Sequence, residues 1–259
     1  MADPLLRDLA LAADPVAFAR ACGVEPYRWQ ADALRSTALR EAWVVARQCA
    51  KSTTAALLST HAITYGPPGT TVVMLSVGQR QSTELLLKAR RFYRLLGRPR
   101  GAASERETSL TTEAGSRLIA LAGGGEGGAT LRGMSADLLL IDEASRVPDD
   151  VYAAARPFVA VTGGRVLLLS TPWTTEGFFA GAALGKDGWL VRRVPADGVL
   201  DPGFLDGERR SMSPADYGRE YECDFHATTS ALWSERQWRA LADSRVLTLE
   251  QRIADMARR

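Results

Sequence analysis

A strand-to-helix turn in the first quarter of the chain carries side chains suited to phosphate chemistry. The apolar strand Trp43–Ala46 leads through a short loop into a helix predicted over Ser52–Tyr65. N–H groups at a helix start can face a phosphate, a Lys can meet its β and γ oxygens, and a Ser hydroxyl can hold Mg²⁺. The residues predicted to bind nucleotide are Arg47, Gln48, Cys49, Ala50, Lys51, Ser52 and Thr53.

This loop departs from the common phosphate-loop pattern G-x-x-x-x-G-K-[ST]. The pattern places Gly at positions 45 and 50, where the chain has Val45 and Ala50. A Cβ at position 50 can obstruct the close approach of the backbone to a phosphate. An ordinary turn with one exposed lysine is therefore an open alternative, and so is reduced nucleotide affinity.

Two adjacent carboxylates further along the chain strengthen the phosphate-loop interpretation. The apolar run Leu138–Ile141 ends in Asp142 and Glu143. In α/β sheets, such strand ends are where ligand sites form. Asp142 is predicted to hold Mg²⁺, and Glu143 is predicted to polarise an attacking water. A strand capped by solvated acids is the alternative, but the two motifs in this order favour chemistry.

Two weaker features fit a nucleotide-driven protein. Gln30 precedes the loop, and its amide has the donor and acceptor that would pair with the edge of adenine. Ser170, Thr171 and Pro172 follow another apolar strand, and these small hydroxyls could sense a γ-phosphate and pass on its loss. A plain surface glutamine and a simple strand-to-turn junction are the respective alternatives.

The elements that must position these residues predict an α/β fold, with a mostly parallel central sheet flanked by helices. The predicted strands are Trp43–Ala46, Thr70–Val77, Arg117–Leu121, Leu138–Ile141 and Arg165–Ser170. The predicted helices are Trp29–Arg40, Ser52–Tyr65, Gln79–Leu96, Pro214–Glu222, Ser234–Ala242 and Leu249–Arg258. After about Trp189 the strand–helix rhythm decays. We predict a phosphate-loop core over residues 1–190 and a small C-terminal lid subdomain over 191–259.

Composition sets limits on the class of protein. With 259 residues, 46% hydrophobic and 24% charged, the chain can bury one sizeable core plus a small subdomain. Its apolar runs are far shorter than the roughly 20 residues of a membrane span, so we expect no membrane contact. No secretory signal is recognisable, and three widely spaced cysteines fit a reduced, cytoplasmic protein. A net charge of +2 does not indicate nucleic-acid binding over the whole surface.

Together, these motifs resemble those of the ATPase domain of viral DNA-packaging terminase large subunits. That family has an aromatic-Gln stretch, an Arg-Gln-x-x-Lys-[Ser/Thr] loop, an Arg-Gly dipeptide, an Asp-Glu strand end and a Ser/Thr-Thr-Pro coupling motif. The matching residues are Trp29-Gln30, Arg47-Gln48-Cys49-Ala50-Lys51-Ser52, Arg132-Gly133, Asp142-Glu143 and Ser170-Thr171-Pro172. Similar to the family's lid pattern are Glu220-Tyr221, Phe225 and Ala231-Leu232-Trp233. The resemblance runs from about residue 20 to 235.

The resemblance implies a P-loop ATPase core that uses ATP and Mg²⁺ to drive double-stranded DNA into a procapsid. It implies a homo-oligomeric ring, of five subunits by family likeness, that works with a portal protein and a small terminase subunit. The place of action would be the cytoplasm of the infected host cell, on the procapsid portal. Arg47 would touch the γ-phosphate of its own subunit. Arg132 would reach a neighbour's ATP as an arginine finger, with a surface loop arginine as the alternative.

Two other functions are left open. A helicase or other double-stranded-DNA translocase shares the nucleotide class, but such enzymes usually carry a second motor domain, for which this chain is short. A catalytically impaired scaffold for ring assembly and DNA binding would follow if Ala50 had spoiled the loop. The retained Lys51, Ser52, Asp142 and Glu143 argue against that scaffold. Nothing after residue 235 supplies the carboxylate cluster of the family's nuclease domain, so we predict no DNA cleavage by this chain.

A basic helix and the turn after it are the densest candidate for DNA contact. A packaging protein must accept any sequence, so it would grip phosphates rather than base edges. The predicted DNA-binding residues are Arg90, Arg91, Arg94, Arg98 and Arg100, with Arg80 and Lys88 nearby. A solvated basic face, or a contact with the next subunit, fits the same residues.

Overall fold

One sheet organises the part of the chain that the computed structural model describes, which is residues 3–97, 102–123, 133–185 and 188–225. Its strands are β1 (Arg40–Val45), β2 (Thr71–Ser76), β3 (Ala102–Arg106), β4 (Ser109–Thr112), β5 (Arg117–Ala122), β6 (Leu138–Asp142), β7 (Arg165–Ser170) and β8 (Leu190–Val194). They lie in the order β3-β4-β5-β2-β6-β7-β1-β8. From β5 to β8 in that order the neighbours are parallel, whereas β3 and β4 extend one edge by antiparallel pairing.

The central strands are apolar almost throughout because they are covered on both faces. Every residue of β2 and β6 is buried, and in β1 and β7 only the first residue is not. β7 lies between β1 and β6. The loop after β1 and the acids after β6 therefore meet at the same edge of the sheet, separated by two strand spacings, or roughly 10 Å.

Nine helices accompany these strands within the described ranges. They are α1 (Pro4–Ala13), α2 (Pro15–Ala21), α3 (Arg28–Leu34), α4 (Lys51–Tyr65), α5 (Gln79–Leu95), α6 (Asp149–Ala155), α7 (Gly177–Ala183), α8 (Pro202–Ser211) and α9 (Pro214–Tyr221). The helices α4 and α5 pack on each other and against β2, and α7 packs against β1. None of these helices combines the length and apolar character that crossing a bilayer requires.

The predicted helix Trp29–Arg40 is wrong in its second half. The observed helix α3 ends at Leu34, and Arg40 already belongs to β1. Ser36 Oγ accepts the N–H of Ala38 at 3.4 Å, and local bonds of this kind compete with helical ones. The carbonyl of Leu39 accepts the N–H of Val166 at 2.8 Å, which begins the pairing of β1 with β7.

The sheet continues past the boundary predicted at residue 190. All five predicted strands are present, but three others were not predicted: β3 and β4 at one edge of the sheet, and β8, which pairs in parallel with β1, at the other. The helix predicted over Pro214–Glu222 is confirmed as α9. The helices predicted over Ser234–Ala242 and Leu249–Arg258 lie outside the described residues, so a separate lid subdomain stays a prediction.

Candidate nucleotide site

The loop between β1 and α4 is built from two left-handed residues. Gln48 has φ of 60° and Ala50 has φ of 64°, with Ala50 directly preceding the first residue of α4. Cys49 between them is fully buried and anchors the loop in the core. Turns of this type direct successive N–H groups into a concave surface that suits an anion. The start of α4 adds its positive dipole end, so the loop geometry matches the predicted phosphate site.

Ala50 occupies a conformation in which glycine is the default residue. A side chain in the left-handed region costs about 1–3 kcal/mol when the surroundings hold it there. The chain therefore keeps the backbone shape of a phosphate loop without the glycine that normally permits it. The replacement of glycine by alanine at position 50 thus appears in the structure as local backbone strain.

The carboxylates at the end of β6 face the start of α4. Lys51 Nζ lies 3.5 Å from Glu143 Oε1, and Ser52 Oγ donates to Asp142 Oδ2 at 3.4 Å. Glu143 has φ of 52°, and its N–H donates to Asp142 Oδ1 at 3.0 Å. Two segments far apart in the chain thus place one cation, one hydroxyl and two acids together. The sequence predicted this grouping.

Burial changes the acidity of the inner carboxyl. Asp142 is 7% exposed. Desolvation, reinforced by the charge of Glu143, raises the pKa of Asp142 to about 6, while Lys51 and the Ser52 hydroxyl oppose the shift. A buried carboxylate with this raised pKa lacks compensation for its charge, and a bound cation would supply it.

The end of β7 completes the acid side of the site. Ser170 Oγ donates to Glu143 Oε2 at 3.3 Å, and it lies 2.7 Å from Ser145 Oγ. Thr171 lines the same cavity, and Pro172 is buried directly after it. The predicted coupling segment therefore contacts the carboxylate predicted to activate water. Ser145 was not predicted as a site residue.

Gln30 does not reach the cavity that these residues line. It is 1% exposed, its Oε1 accepts the N–H of Tyr27 at 2.9 Å, and its Nε2 donates to Thr54 Oγ1 at 2.7 Å. Thr54 Oγ1 in turn donates to the carbonyl of Ala50 at 3.0 Å. Gln30 thus supports the phosphate loop through Thr54, and its contact with adenine stays a prediction. Thr54, the link in this chain, was not predicted.

Arg47 is held at the rim of the site by α9. Its N–H donates to the carbonyl of Glu220 at 2.8 Å, and its Nη1 lies 3.8 Å from Glu220 Oε2. The Arg47 side chain is 59% exposed, so its guanidinium can turn toward a ligand at little cost. The sequence likeness of Glu220-Tyr221 to a lid pattern was the only signal for this contact.

An open cavity of about 490 Å³ joins these groups. Its lining residues are Arg47, Lys51, Ser52, Gln81, Glu84, Leu85, Lys88, Asp142, Glu143, Arg146, Thr171 and Glu220. The wall formed by α5 was not predicted as part of the site. Its polar members repeat at the three-to-four spacing of a single helix face, and that periodicity was the available signal.

Comparison with known protein families shows which family the chain belongs to. A family model described as "Terminase large subunit, T4likevirus-type, N-terminal" matches residues 44–240, which is more than half of the chain. The chain belongs to this family. A 108-residue stretch is 29% identical to the terminase large subunit of Thermus virus P23-45. That stretch covers 41% of this chain and only 19% of the relative.

Solved terminase structures share the fold of this terminase domain. The large terminase ATPase domain of Thermus phage P74-26 has a TM-score of 0.72 and 19% identity, over 80% of this chain and 97% of that one. The large terminase of another thermophilic bacteriophage, solved in complex with ADP, has a TM-score of 0.62 and 15% identity, over 75% and 52%. At such identities the likeness establishes the fold alone. It confirms the predicted P-loop fold with a mostly parallel sheet.

The residues predicted to form a DNA-binding face of this terminase domain do not share one exposed surface. Arg90 is 7% exposed and donates to the carbonyl of Ser109 at 2.7 Å, and burial lowers its pKa. It therefore does not belong to an exposed basic face. Arg94 pairs with Glu105 at 2.5 Å, and Arg91 is exposed. Arg98, Arg100 and the predicted arginine finger Arg132 lie outside the described residues.

Proposed function

We propose that this terminase domain binds ATP with Mg²⁺ and hydrolyses it, and that it is the motor half of a protein that packages double-stranded viral DNA. The observation that carries the proposal is the convergence of Lys51 and Ser52 with Asp142 and Glu143 beside a cavity of about 490 Å³. Family membership adds that such domains belong to terminase large subunits.

Each residue of the convergence has a role that its chemistry supports. Lys51 and the N–H groups at the start of α4 would bind the β- and γ-phosphates. Arg47 would add a contact to the γ-phosphate. Ser52 and Asp142 supply the hard oxygen ligands that Mg²⁺ prefers. When bound, Mg²⁺ would neutralise charge on the phosphate oxygens.

Glu143 is the proposed general base. Its carboxylate accepts from Ser170 Oγ and pairs with Lys51. Phosphate oxygens compete for the same ammonium, so ATP binding would draw Lys51 from Glu143. Glu143 would then accept a proton from the water that attacks the γ-phosphate. The bond to Ser170 would keep the carboxylate oriented through this exchange.

The wider roles are also proposals. We place this domain in a homo-oligomeric ring around double-stranded DNA, of five subunits by family likeness, with a portal protein and a small terminase subunit as partners. Arg132 of one subunit would act on the ATP of its neighbour. The work would take place in the cytoplasm of the infected host cell. Arg91, which is exposed on the basic helix, would meet a DNA phosphate.

One experiment tests the enzyme assignment. ATP binding and Mg²⁺-dependent hydrolysis are measured for the wild type, for Lys51→Ala and for the surface control Arg20→Ala. We expect Lys51→Ala to lose nucleotide binding, because the lysine supplies the charge beside the phosphates, while Arg20→Ala matches the wild type. A wild type that binds no ATP at millimolar concentration would contradict the proposal.

The strained Ala50 favours a second candidate function, a silent scaffold for ring assembly and DNA binding. Its left-handed backbone raises the cost of the loop shape that a phosphate requires. In that case the wild type would still bind double-stranded DNA but would neither bind nor hydrolyse ATP. Another double-stranded-DNA translocase of the same class would hydrolyse ATP but would not support packaging with a portal.

A further inference from the structure

Trp173 contacts two arginine side chains beside the nucleotide cavity. The guanidinium carbon of Arg146 is 4.0 Å from the centroid of the indole, and that of Arg219 is 4.3 Å from it. The same indole therefore contacts two guanidinium groups that come from different elements. The ring quadrupole attracts both cations. Trp173 is 37% exposed, so it does not simply fill the core.

Three parts of the site meet at this ring. Trp173 directly follows Thr171 and Pro172 in the segment after β7. Arg146 ends the short 3-10 helix that begins after Glu143, and its side chain lines the nucleotide cavity. Arg219 belongs to α9. The indole therefore joins the acid side of the site to the helix that contacts the phosphate loop.

Contacts on α9 hold Arg219 toward the ring. Asp216 Oδ1 pairs with Arg219 Nη2 at 2.7 Å, and Glu220 Oε1 lies 3.7 Å from Arg219 Nε. Glu220 also meets Arg47 of the phosphate loop, at 3.8 Å between side chains. A continuous series of contacts therefore runs from Arg47 in the phosphate loop through α9 and the indole to Arg146.

We propose that Trp173 is a positioning residue that couples the phosphate end of the cavity to α9. This inference rests on the nucleotide binding proposed above. An anion in the cavity attracts Arg146 and changes its contact with the indole. Because the same indole contacts Arg219, the change reaches α9 and alters how firmly that helix is held. A residue that only fills space would transmit nothing of the kind.

The test measures hydrogen exchange of the α9 amides with and without a hydrolysis-resistant ATP analogue and Mg²⁺. The variants are Trp173→Leu, which removes the π face, and Trp173→Phe, which keeps a ring. Trp189→Leu is the matched control, because Trp189 is a partly buried tryptophan that lines a different cavity. Analogue affinity is measured by calorimetry on the same samples.

We expect the analogue to slow α9 exchange by about fivefold or more in the wild type, which is the lower end of typical coupling between sites. Trp173→Leu should bind the analogue within about threefold of the wild type but lose this protection. Trp173→Phe should retain most of it, and Trp189→Leu all of it. Arg219→Met, which removes the cation and keeps the indole, should lose the protection as well, and it replaces Trp173→Leu if that variant does not fold.

Either of two results would overturn the coupling while the proposed function stands. One is analogue binding by the wild type without slower exchange in α9. The other is protection in Trp173→Leu and Arg219→Met equal to that of the wild type. A wild type that does not bind the analogue would overturn the proposed function itself, and the coupling would fall with it.

Discussion

Two charged clusters lie at opposite ends of β1, and they are built in opposite ways. Near its start, Glu41 is 1% exposed, bonds to Arg192 of β8 and lies 3.6 Å from Arg165 of β7. Arg192 also donates to the backbone carbonyl of Asp32, and Arg165 to that of Ala38. Beyond its end, Arg47 and Lys51 meet acids at 3.8 and 3.5 Å beside an open cavity.

The difference separates charges that hold the sheet together from charges that are available to a ligand. Glu41 is buried between two arginines that are also bonded to the backbone, so a ligand from solvent cannot reach it. The cluster after β1 keeps long, partly solvated contacts that phosphates and Mg²⁺ can replace. Removal of a charge from the first cluster should therefore change stability, and removal from the second should change function.

Glu143→Gln should have the largest functional effect. The amide keeps the size of the side chain but cannot accept the proton, so hydrolysis should fall by about 10²–10⁴-fold. Binding of ATP should survive, because Lys51 remains and loses a competitor. Turnover is measured beside nucleotide affinity and the unfolding temperature. Normal turnover in this variant would assign the base to another residue.

Glu41→Gln should have the largest effect on stability. Removal of one partner from a buried ion pair costs about 3–5 kcal/mol, because the arginines keep their charge without compensation. Chemical denaturation measures the loss. Glu25→Gln, which breaks the exposed pair with Arg20, is the control and should unfold like the wild type. A Glu41→Gln variant as stable as the wild type would show that the buried cluster does not hold the sheet together, and its contrast with the cluster after β1 would fail.

Asp142→Asn should stabilise the protein without ligand while it abolishes hydrolysis. The folded pKa of Asp142 is about 6, against an ordinary value of 3.8, so the folded protein binds this proton more tightly. The free energy of unfolding therefore falls as pH rises between these values, by roughly 3 kcal/mol in total. The variant should melt at a higher temperature than the wild type at pH 7.5, and at about the same temperature near pH 4.

Asp14→Asn is the control of opposite sign. The Arg35 guanidinium lowers the pKa of Asp14, with help from the N–H of Val16. The stability from this group is present above its unfolded pKa and is lost as pH falls through the folded one. The variant should therefore melt below the wild type at pH 7.5. If both aspartate variants shifted in the same direction, the account of burial at Asp142 would be wrong.

Ala50→Gly should have the smallest effect. Removal of the Cβ relieves the left-handed strain at φ of 64°, but it also frees the unfolded chain, so the net gain should be about 0.5–1 kcal/mol. Nucleotide affinity should rise several-fold because no Cβ then obstructs the phosphate, whereas strain shared by the free and bound loops cancels in the binding free energy. Ala62→Gly in α4 has an ordinary helical backbone and should lose about 1 kcal/mol. A loss of stability in both variants would show that position 50 is not strained.

Short motifs made the geometry of the proposed nucleotide site predictable. Lys51 and Ser52 were found because they follow a buried strand after one short loop, and Asp142 and Glu143 because they stand at the end of another strand. Parallel strands deliver both pairs to one sheet edge without any knowledge of loop detail. The central strands were predictable for the same reason, since their burial on both faces appears as uninterrupted apolar runs.

Contacts between distant segments could not be predicted from the sequence. The partners of Glu41 come from β7 and β8, so they depend on a strand order that no local pattern encodes. The meeting of Trp173 with Arg146 and Arg219 depends on where α9 packs. Arg90 is a different case, because it follows Leu86 by four residues and so shares its inward face of α5. That helix phase was available in the sequence and would have removed Arg90 from the DNA-binding residues.

The bonds from Gln30 through Thr54 to the carbonyl of Ala50 have a consequence for genetics. A screen for loss of function would score substitutions at Gln30 alongside those at Lys51, because the first disturb the loop and the second remove its ammonium group. Suppressors would tell them apart. A change at position 50 that relaxes the loop, such as Ala50→Gly, could rescue a Gln30 variant, whereas no change of loop shape restores a missing ammonium. Gln30 can thus report on the shape of a loop whose cavity it does not line.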